Sequence, residues 1–160
     1  MEISYRPIGM IRSHYTKKTG VPIQGILSEK SFGLVEVFHE FKEGLKDIEG
    51  FSHLILIYHM HQVEGMDLVC QPFLQDKEHG VFAVRSPRRP NPIGFSVVRL
   101  ESRDGRTLHI SEVDIMDQTP LLDIKPWVSH FDTRRDTRCG WFEEVLEGVR
   151  TRDADDRYGR

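Results

Sequence analysis

Along residues 51–61 the chain alternates. Leu54, Leu56, Tyr58 and Met60 fall on one side of an extended segment, and His53, Ile55, Ile57, His59 and His61 on the other. The pattern predicts a central strand with one face in the core and a second face that turns polar at both ends. Residues 5–11 and 32–38, the latter carrying the β-branched Val35 and Val37, read as further strands. Two short apolar runs, 81–84 and 95–98, predict core strands on either side of a loop. Residues 107–115 are the hairpin partner of the second run across Asp104-Gly105. There the alternation of Leu108 and Ile110 resumes out of phase at Val113 and Ile115, which predicts a bulge near Ser111-Glu112.

Helical spacing is confined to two places. Phe41, Leu45 and Ile48 share a face within residues 40–49, with Gly50 as the stop. Trp141, Phe142, Val145, Leu146 and Val149 share another, so residues 140–149 predict a terminal packing helix. Residues 16–25, with two glycines and a proline, read as a long loop, and 67–80 as irregular. Asp117-Gln118-Thr119-Pro120 has turn chemistry. Residues 121–125 return to the core with Leu122 and Ile124 inward and Asp123 and Lys125 outward, and Pro126 ends the run. Neither a repeat nor a linker interrupts the chain. The expected organisation is one mostly β domain over residues 1–150, followed by a charged, frayed tail at 151–160.

Composition narrows the class. A hydrophobic fraction of 38% with 29% charged residues fits a soluble domain, and no apolar run approaches a membrane span. The first residues, Met-Glu-Ile-Ser, lack the basic and apolar regions of a signal peptide, so the expected location is the cytoplasm. Cys70 and Cys139 match no zinc spacing and read as reduced thiols. The net charge of -3 argues against bulk nucleic-acid binding, but it hides a local basic segment. Arginines stand at 85, 88, 89, 99, 103 and 106, against only Glu101 and Asp104. For Arg103 and Arg106, flanking the hairpin turn, a solvated arginine face is the expectation. Arg88 and Arg89 belong to Arg-Ser-Pro-Arg-Arg-Pro-Asn-Pro-Ile-Gly, residues 85–94, whose three prolines forbid helix and central strand. A stiff cationic loop held between apolar segments points to an anionic or polar ligand.

Motif chemistry is mostly exclusion. Gly-x-Gly-x-x-Gly, Gly-x-x-x-x-Gly-Lys and Gly-x-Ser-x-Gly are all missing, so neither a Rossmann site, a phosphate-cradling loop nor a serine-hydrolase elbow is predicted. His59 and His61 share a strand face with Glu64 just beyond, a set able to hold iron, manganese or zinc. No fourth ligand is evident, and hydrogen-bonded rim histidines are the favoured reading.

Residues 80–94, Gly-Val-Phe-Ala-Val-Arg-Ser-Pro-Arg-Arg-Pro-Asn-Pro-Ile-Gly, resemble the TsaA-like (TrmO/YaeB) family. So do Gly50-Phe51-Ser52-His53-Leu54 upstream and the run from Asp117 to Trp127, Asp-Gln-Thr-Pro-Leu-Leu-Asp-Ile-Lys-Pro-Trp, downstream. Ile8-Gly9-Met10-Ile11-Arg12-Ser13 and Pro22-Ile23-Gln24 are also similar, so the matches run in order to about Asp132. Gln118 stands where the family usually has glycine, and Trp127 where tyrosine is usual.

The resemblance implies an S-adenosylmethionine-dependent methyltransferase on a compact, coiled and irregular β-barrel with short helices, not a Rossmann sheet, working as a homodimer. Characterised members methylate the N6 nitrogen of N6-threonylcarbamoyladenosine, so the implied partner is the tRNA anticodon loop. Family cofactor contacts fall on Pro22, Ile23 and Gln24, on His61 and Gln62, on Arg89 and Arg99, and on Leu122, Asp123, Ile124 and Lys125. The backbone of the Pro22 and Leu122 segments would read adenine or ribose, and Asp123 would meet the hydroxyls or the ammonium group. Arg89 would pair with the cofactor carboxylate or an RNA phosphate. No catalytic residue and no metal ligand is assigned; His61 and Asp123 are the candidates for a base. A small-molecule methyltransferase using the same pocket, a non-catalytic S-adenosylmethionine sensor and a metal-dependent barrel enzyme are the alternatives.

Overall fold

A computed structural model describes residues 1–17, 20–22, 31–72 and 75–145. Ile23, Gln24, the second half of the expected terminal helix and the tail at 151–160 lie outside the described residues. Six strands close an antiparallel barrel in the order β1-β2-β7-β6-β3-β8. They are β1 (Gly9–Ser13), β2 (Phe32–Val37), β3 (His53–His59), β6 (Ile93–Asp104), β7 (Thr107–Ser111) and β8 (Thr119–Pro126). Between β3 and β6, β4 (Val69–Cys70) and β5 (His79–Gly80) pair as a separate small ribbon. The 12-residue β6 bends around the barrel, pairing with β3 through its first half and with β7 through its second. Closure leaves the barrel itself no free strand edge.

Alternation sets what the barrel encloses. Ile11, Val35, Val37, Leu54, Leu56, Val98, Leu108, Ile110 and Leu121 are buried in one core cluster, joined by Tyr58, Val113 and Ile115. Each buried aliphatic side chain contributes about 1.5–3 kcal/mol relative to exposure. The expected phase slip after Ile110 is real: Ser111, Val113 and Ile115 are all buried, and Glu112 between them has a left-handed backbone (φ 62). The ladder bulge itself lies on the opposite strand, where Glu101 is the extra residue between Leu100↔Ile110 and Ser102↔His109.

Four expected elements differ. Residues 81–84 form not a strand but a 3₁₀ turn, Val81–Ala83. Val81 and Val84 are buried while Phe82 and Ala83 are exposed, a spacing of three that suits three residues per turn. The helix expected over 40–49 is two 3₁₀ segments, His39–Leu45 and Ile48–Gly50, separated by the left-handed Asp47 (φ 66). The first strand starts at Gly9, because the two neighbouring strands pair with residues 9–13, leaving 5–7 exposed. Of the expected terminal helix, Gly140–Glu144 is a 3₁₀ segment. A one-turn helix, α1 (Ser129–Asp132), follows β8.

Arg106 is exposed, as expected, but Arg103 is largely covered, and both make specific contacts. Arg103 donates to the Leu45 carbonyl (2.9 Å) and pairs with Glu49 (2.7 Å), while Arg106 donates to the Val37 carbonyl (2.9 Å). They satisfy chain ends that the barrel leaves without partners.

Candidate functional site

The cationic loop and the end of β3 are built as one unit. Two i→i+2 hydrogen bonds, from the Arg89 amide to the Pro87 carbonyl (2.9 Å) and from the Ile93 amide to the Asn91 carbonyl (2.7 Å), fold the proline segment tightly. His61 and Gln62 form the turn after β3, closed by the Val63 amide donating to the Met60 carbonyl (3.2 Å). The Met60 amide donates to the Pro92 carbonyl (2.8 Å), which pins this turn against the loop. Arg89 folds back on its own segment, with Nη1 donating to the Val84 (2.9 Å) and Ser86 (3.3 Å) carbonyls. Its Nε and Nη2 hydrogens remain for an anion. Arg88 turns the other way, with Nε 2.6 Å from Asp67 Oδ2 and Nη2 donating to Oδ1 at 3.2 Å.

His61 meets the start of β8. The Thr119 hydroxyl donates to the Met116 carbonyl (2.8 Å), so its oxygen is the acceptor toward His61 Nδ1 at 3.4 Å. That contact places the ring proton on Nδ1 and leaves the Nε2 lone pair free. Burial, and then the neighbouring His59, push the imidazole below its ordinary pKa, against a weaker pull upward from Asp117. His61 is therefore neutral at physiological pH. Asp117 is itself held, its Oδ1 accepting from the Ser13 amide (3.1 Å) and its amide donating to the Tyr15 carbonyl (2.9 Å).

On β8 the register against β3 slips: Tyr58 faces Leu121 and Ile57 faces Asp123, so Leu122 is the extra residue of a bulge. A bulge leaves backbone polar groups outside the ladder. Leu121 is in the core and Ile124 packs against it, whereas Leu122 does not join it, contrary to the simple alternation expected for 121–125. Asp123 is half-exposed; its carboxylate accepts from the Ile124 amide (2.9 Å) and lies 2.6 Å from Lys125 Nζ. The set suits a zwitterionic nucleoside: a half-exposed carboxylate, the backbone of a bulge and a guanidinium, with no glycine-rich loop.

The structure thus brings His61, Gln62 and Arg89 to one end of the barrel, with Leu122 and Asp123 beginning just below on β8. Pro22 is buried. Arg99 lies apart: it pairs with His53 at the opposite end of β3, about 20 Å from His59 at ~3.3 Å per residue. There it holds Glu112 at 3.3 Å. Thr119, read from sequence as a turn residue, is the contact that orients His61; its burial was the missing signal. Both cysteines are free, Cys70 buried and Cys139 exposed. Among the described residues, no group of three His, Cys, Asp or Glu side chains is placed to hold a metal ion. Nor is any helix there long and apolar enough to cross a membrane.

Comparison with known proteins gives the family. The family model described as "tRNA-methyltransferase O N-terminal domain" matches residues 10–133. A Pyrococcus abyssi protein named "Probable S-adenosyl-L-methionine-binding protein" is 52% identical, over 98% of this chain and 85% of its own length. A Mus musculus protein named "tRNA (adenine(37)-N6)-methyltransferase" is 34% identical, over 79% of this chain and 31% of its own. The crystal structure of TrmO from Pseudomonas aeruginosa superposes with a TM-score of 0.75 at 38% identity, over 88% of this chain and 63% of that one. The chain thus spans most of the archaeal relative and less than two thirds of the bacterial and mouse proteins.

Proposed function

The chain belongs to the tRNA-methyltransferase O N-terminal domain family, and from that premise we propose that it methylates the N6 nitrogen of N6-threonylcarbamoyladenosine beside the tRNA anticodon. Its cofactor is S-adenosylmethionine, which supplies a sulfonium methyl already activated for transfer. The observation that carries the reading is the convergence of three segments at one barrel end: the His61-Gln62 turn pinned to Pro92, the Arg89 loop, and the β8 bulge at Leu122-Asp123.

The protein's own part is alignment and exclusion of water. In this reading Pro22, Ile23 and Gln24 with the Leu122–Ile124 backbone hold the nucleoside, and Asp123 takes its hydroxyls or the ammonium group. Arg89 takes the carboxylate through Nε and Nη2. Lys125 and Arg99 lie further along the strands, Lys125 as the partner of Asp123. The threonylcarbamoyl nitrogen must lose a proton, and neutral His61 with a free Nε2 is the base best placed by its hydrogen bonding. For the anticodon loop, Phe131 is 69% exposed on α1 beside the exposed Arg134, Arg135 and Arg138, offering a stacking face and phosphate partners. Ile93 and Phe95, exposed by 44% and 54% on the outer face of β6, support a homodimer. The two free cysteines suit the reducing cytoplasm.

The test is incubation with labelled S-adenosylmethionine and threonylcarbamoylated tRNA. Label transferred to the modified adenosine is expected. Tight cofactor binding without transfer to this tRNA would overturn the reading, and would favour a small-molecule methyltransferase or a non-catalytic sensor in its place.

A further inference from the structure

Gly94 ends the cationic loop as the second residue of β6, directly opposite Tyr58 on β3. A Cβ at Gly94 would lie 2.0 Å from Tyr58 Cε2 and 2.3 Å from Cζ, so the ring rests on the bare backbone of residue 94. No side chain other than hydrogen fits there. The ring is buried, and its hydroxyl lies 3.0 Å from Ser96 Oγ. Ser96 spends its own hydrogen on Asp114 Oδ1 (2.6 Å), so Tyr58 is the donor in a directed chain, Tyr58 to Ser96 to Asp114. Burial, then the Asp114 charge, push the phenol well above its ordinary pKa, and it stays a donor at any working pH.

Tyr58 is also the first residue of β3 past the register slip, facing Gly94 on one side and Leu121 on the other. Two residues on, the Met60 amide holds Pro92. One ring therefore sits where three segments meet: the exit of β3 toward His61, the end of the Arg89 loop, and the bulge that presents Asp123. We infer that Tyr58, seated on Gly94 and anchored through Ser96, is a positioning residue that sets the mutual geometry of the three cofactor-contacting segments. It touches no reacting atom; its effect is on cofactor affinity. This rests on the reading that those segments hold S-adenosylmethionine.

The experiment is calorimetric titration of the full chain with S-adenosylmethionine, at a temperature well below the melting point of every variant. Gly94→Ala, which unseats the ring, and Tyr58→Met, a flexible side chain of similar bulk that a core tolerates, are each expected to weaken binding at least tenfold. Tyr58→Phe keeps the ring on Gly94 and is expected to stay within threefold of wild type. A merely structural role would lower the melting temperature while leaving affinity untouched, so a folded Tyr58→Met with wild-type affinity overturns the inference. If Gly94→Ala does not fold, the Tyr58→Met and Tyr58→Phe pair decides alone. A wild type that does not bind the cofactor overturns the underlying reading first, and this inference with it.

Discussion

Arg88 and Asp67 are joined through side chain and backbone: guanidinium Nη2 donates to Asp67 Oδ1 at 3.2 Å with Nε 2.6 Å from Oδ2, and the Asp67 amide donates to the Arg88 carbonyl at 3.2 Å. The pair ties the cationic loop to the segment after the His61-Gln62 turn. The Arg88 side chain is only 23% exposed and that of Asp67 39%, so this ion pair is worth more than a surface one and less than a fully buried one. Asp67→Asn keeps the shape and removes the charge. We expect it to cost about 1–2 kcal/mol, a fall in Tm of roughly 2–8 °C by calorimetry. An unchanged Tm at low salt would mean that the backbone bond alone holds the loop.

His61 makes stability depend on pH. Its folded pKa is lowered by burial and by His59, so below the ordinary imidazole value of about 6.5 the unfolded chain binds more protons than the folded one. Stability therefore rises with pH in that window: the contribution is absent above about pH 6.5 and grows as a penalty when pH falls toward the folded pKa. His61→Asn cannot titrate there. Plotted as Tm against pH from 5 to 8, wild type and variant are expected to run parallel above pH 7 and to diverge below pH 6.5, with wild type losing more.

Much of the barrel was legible because its strands obey a period of two. Leu54, Leu56 and Tyr58 point inward as the alternation along residues 51–61 requires, and the phase slip past Ile110 was visible as Val113 and Ile115. The 3₁₀ turns were not legible, since Val81 and Val84 lie too close in sequence to separate a three-residue spacing from a short buried strand. Burial at the site was hidden for a different reason. Thr119 and Ser96 are polar residues satisfied by partners 58 and 18 residues away, and no local pattern carries such information. Leu122 illustrates the same limit: its displacement from the core depends on a bulge created by pairing with β3. Asp123 was promoted only by family likeness, because alternation alone reads it as ordinary surface, whereas Arg89 stood out through its stiff proline-rich loop.

Asp123 and Lys125 separate affinity from stability. Their 2.6 Å pair is half-exposed, and such pairs contribute within about 1 kcal/mol. Asp123→Ala is expected to leave Tm almost unchanged while weakening S-adenosylmethionine binding at least tenfold, about 1.4 kcal/mol. Titration of Asp123→Ala and Lys125→Ala side by side checks this. Equal, wild-type affinity in both would remove Asp123 from the site.

Phe95 tests the proposed homodimer. It projects from the outer face of β6 beside Ile93, so a charge there disturbs no core packing. The wild type is expected to sediment as a dimer, and Phe95→Glu to keep its circular dichroism spectrum but to sediment as a monomer at the same concentration. A dimeric Phe95→Glu would place the interface elsewhere.

Gln118 carries a correctable strain. Its backbone is left-handed (φ 59), a conformation that costs an L-residue roughly 1–2 kcal/mol and glycine nothing sterically. Glycine gives back roughly 0.5–1 kcal/mol through the greater freedom of the unfolded chain. The balance favours substitution: Gln118→Gly is expected to raise stability by about 0.5–1 kcal/mol, a Tm higher by roughly 1–4 °C. The turn lies between Asp117, bonded to Ser13, and Thr119, bonded to Met116, so its conformation is fixed from both sides and glycine loosens neither contact. Thermal unfolding of the two proteins in one buffer decides it, and a lower Tm for Gln118→Gly would show that the Gln118 side chain contributes more than its backbone costs.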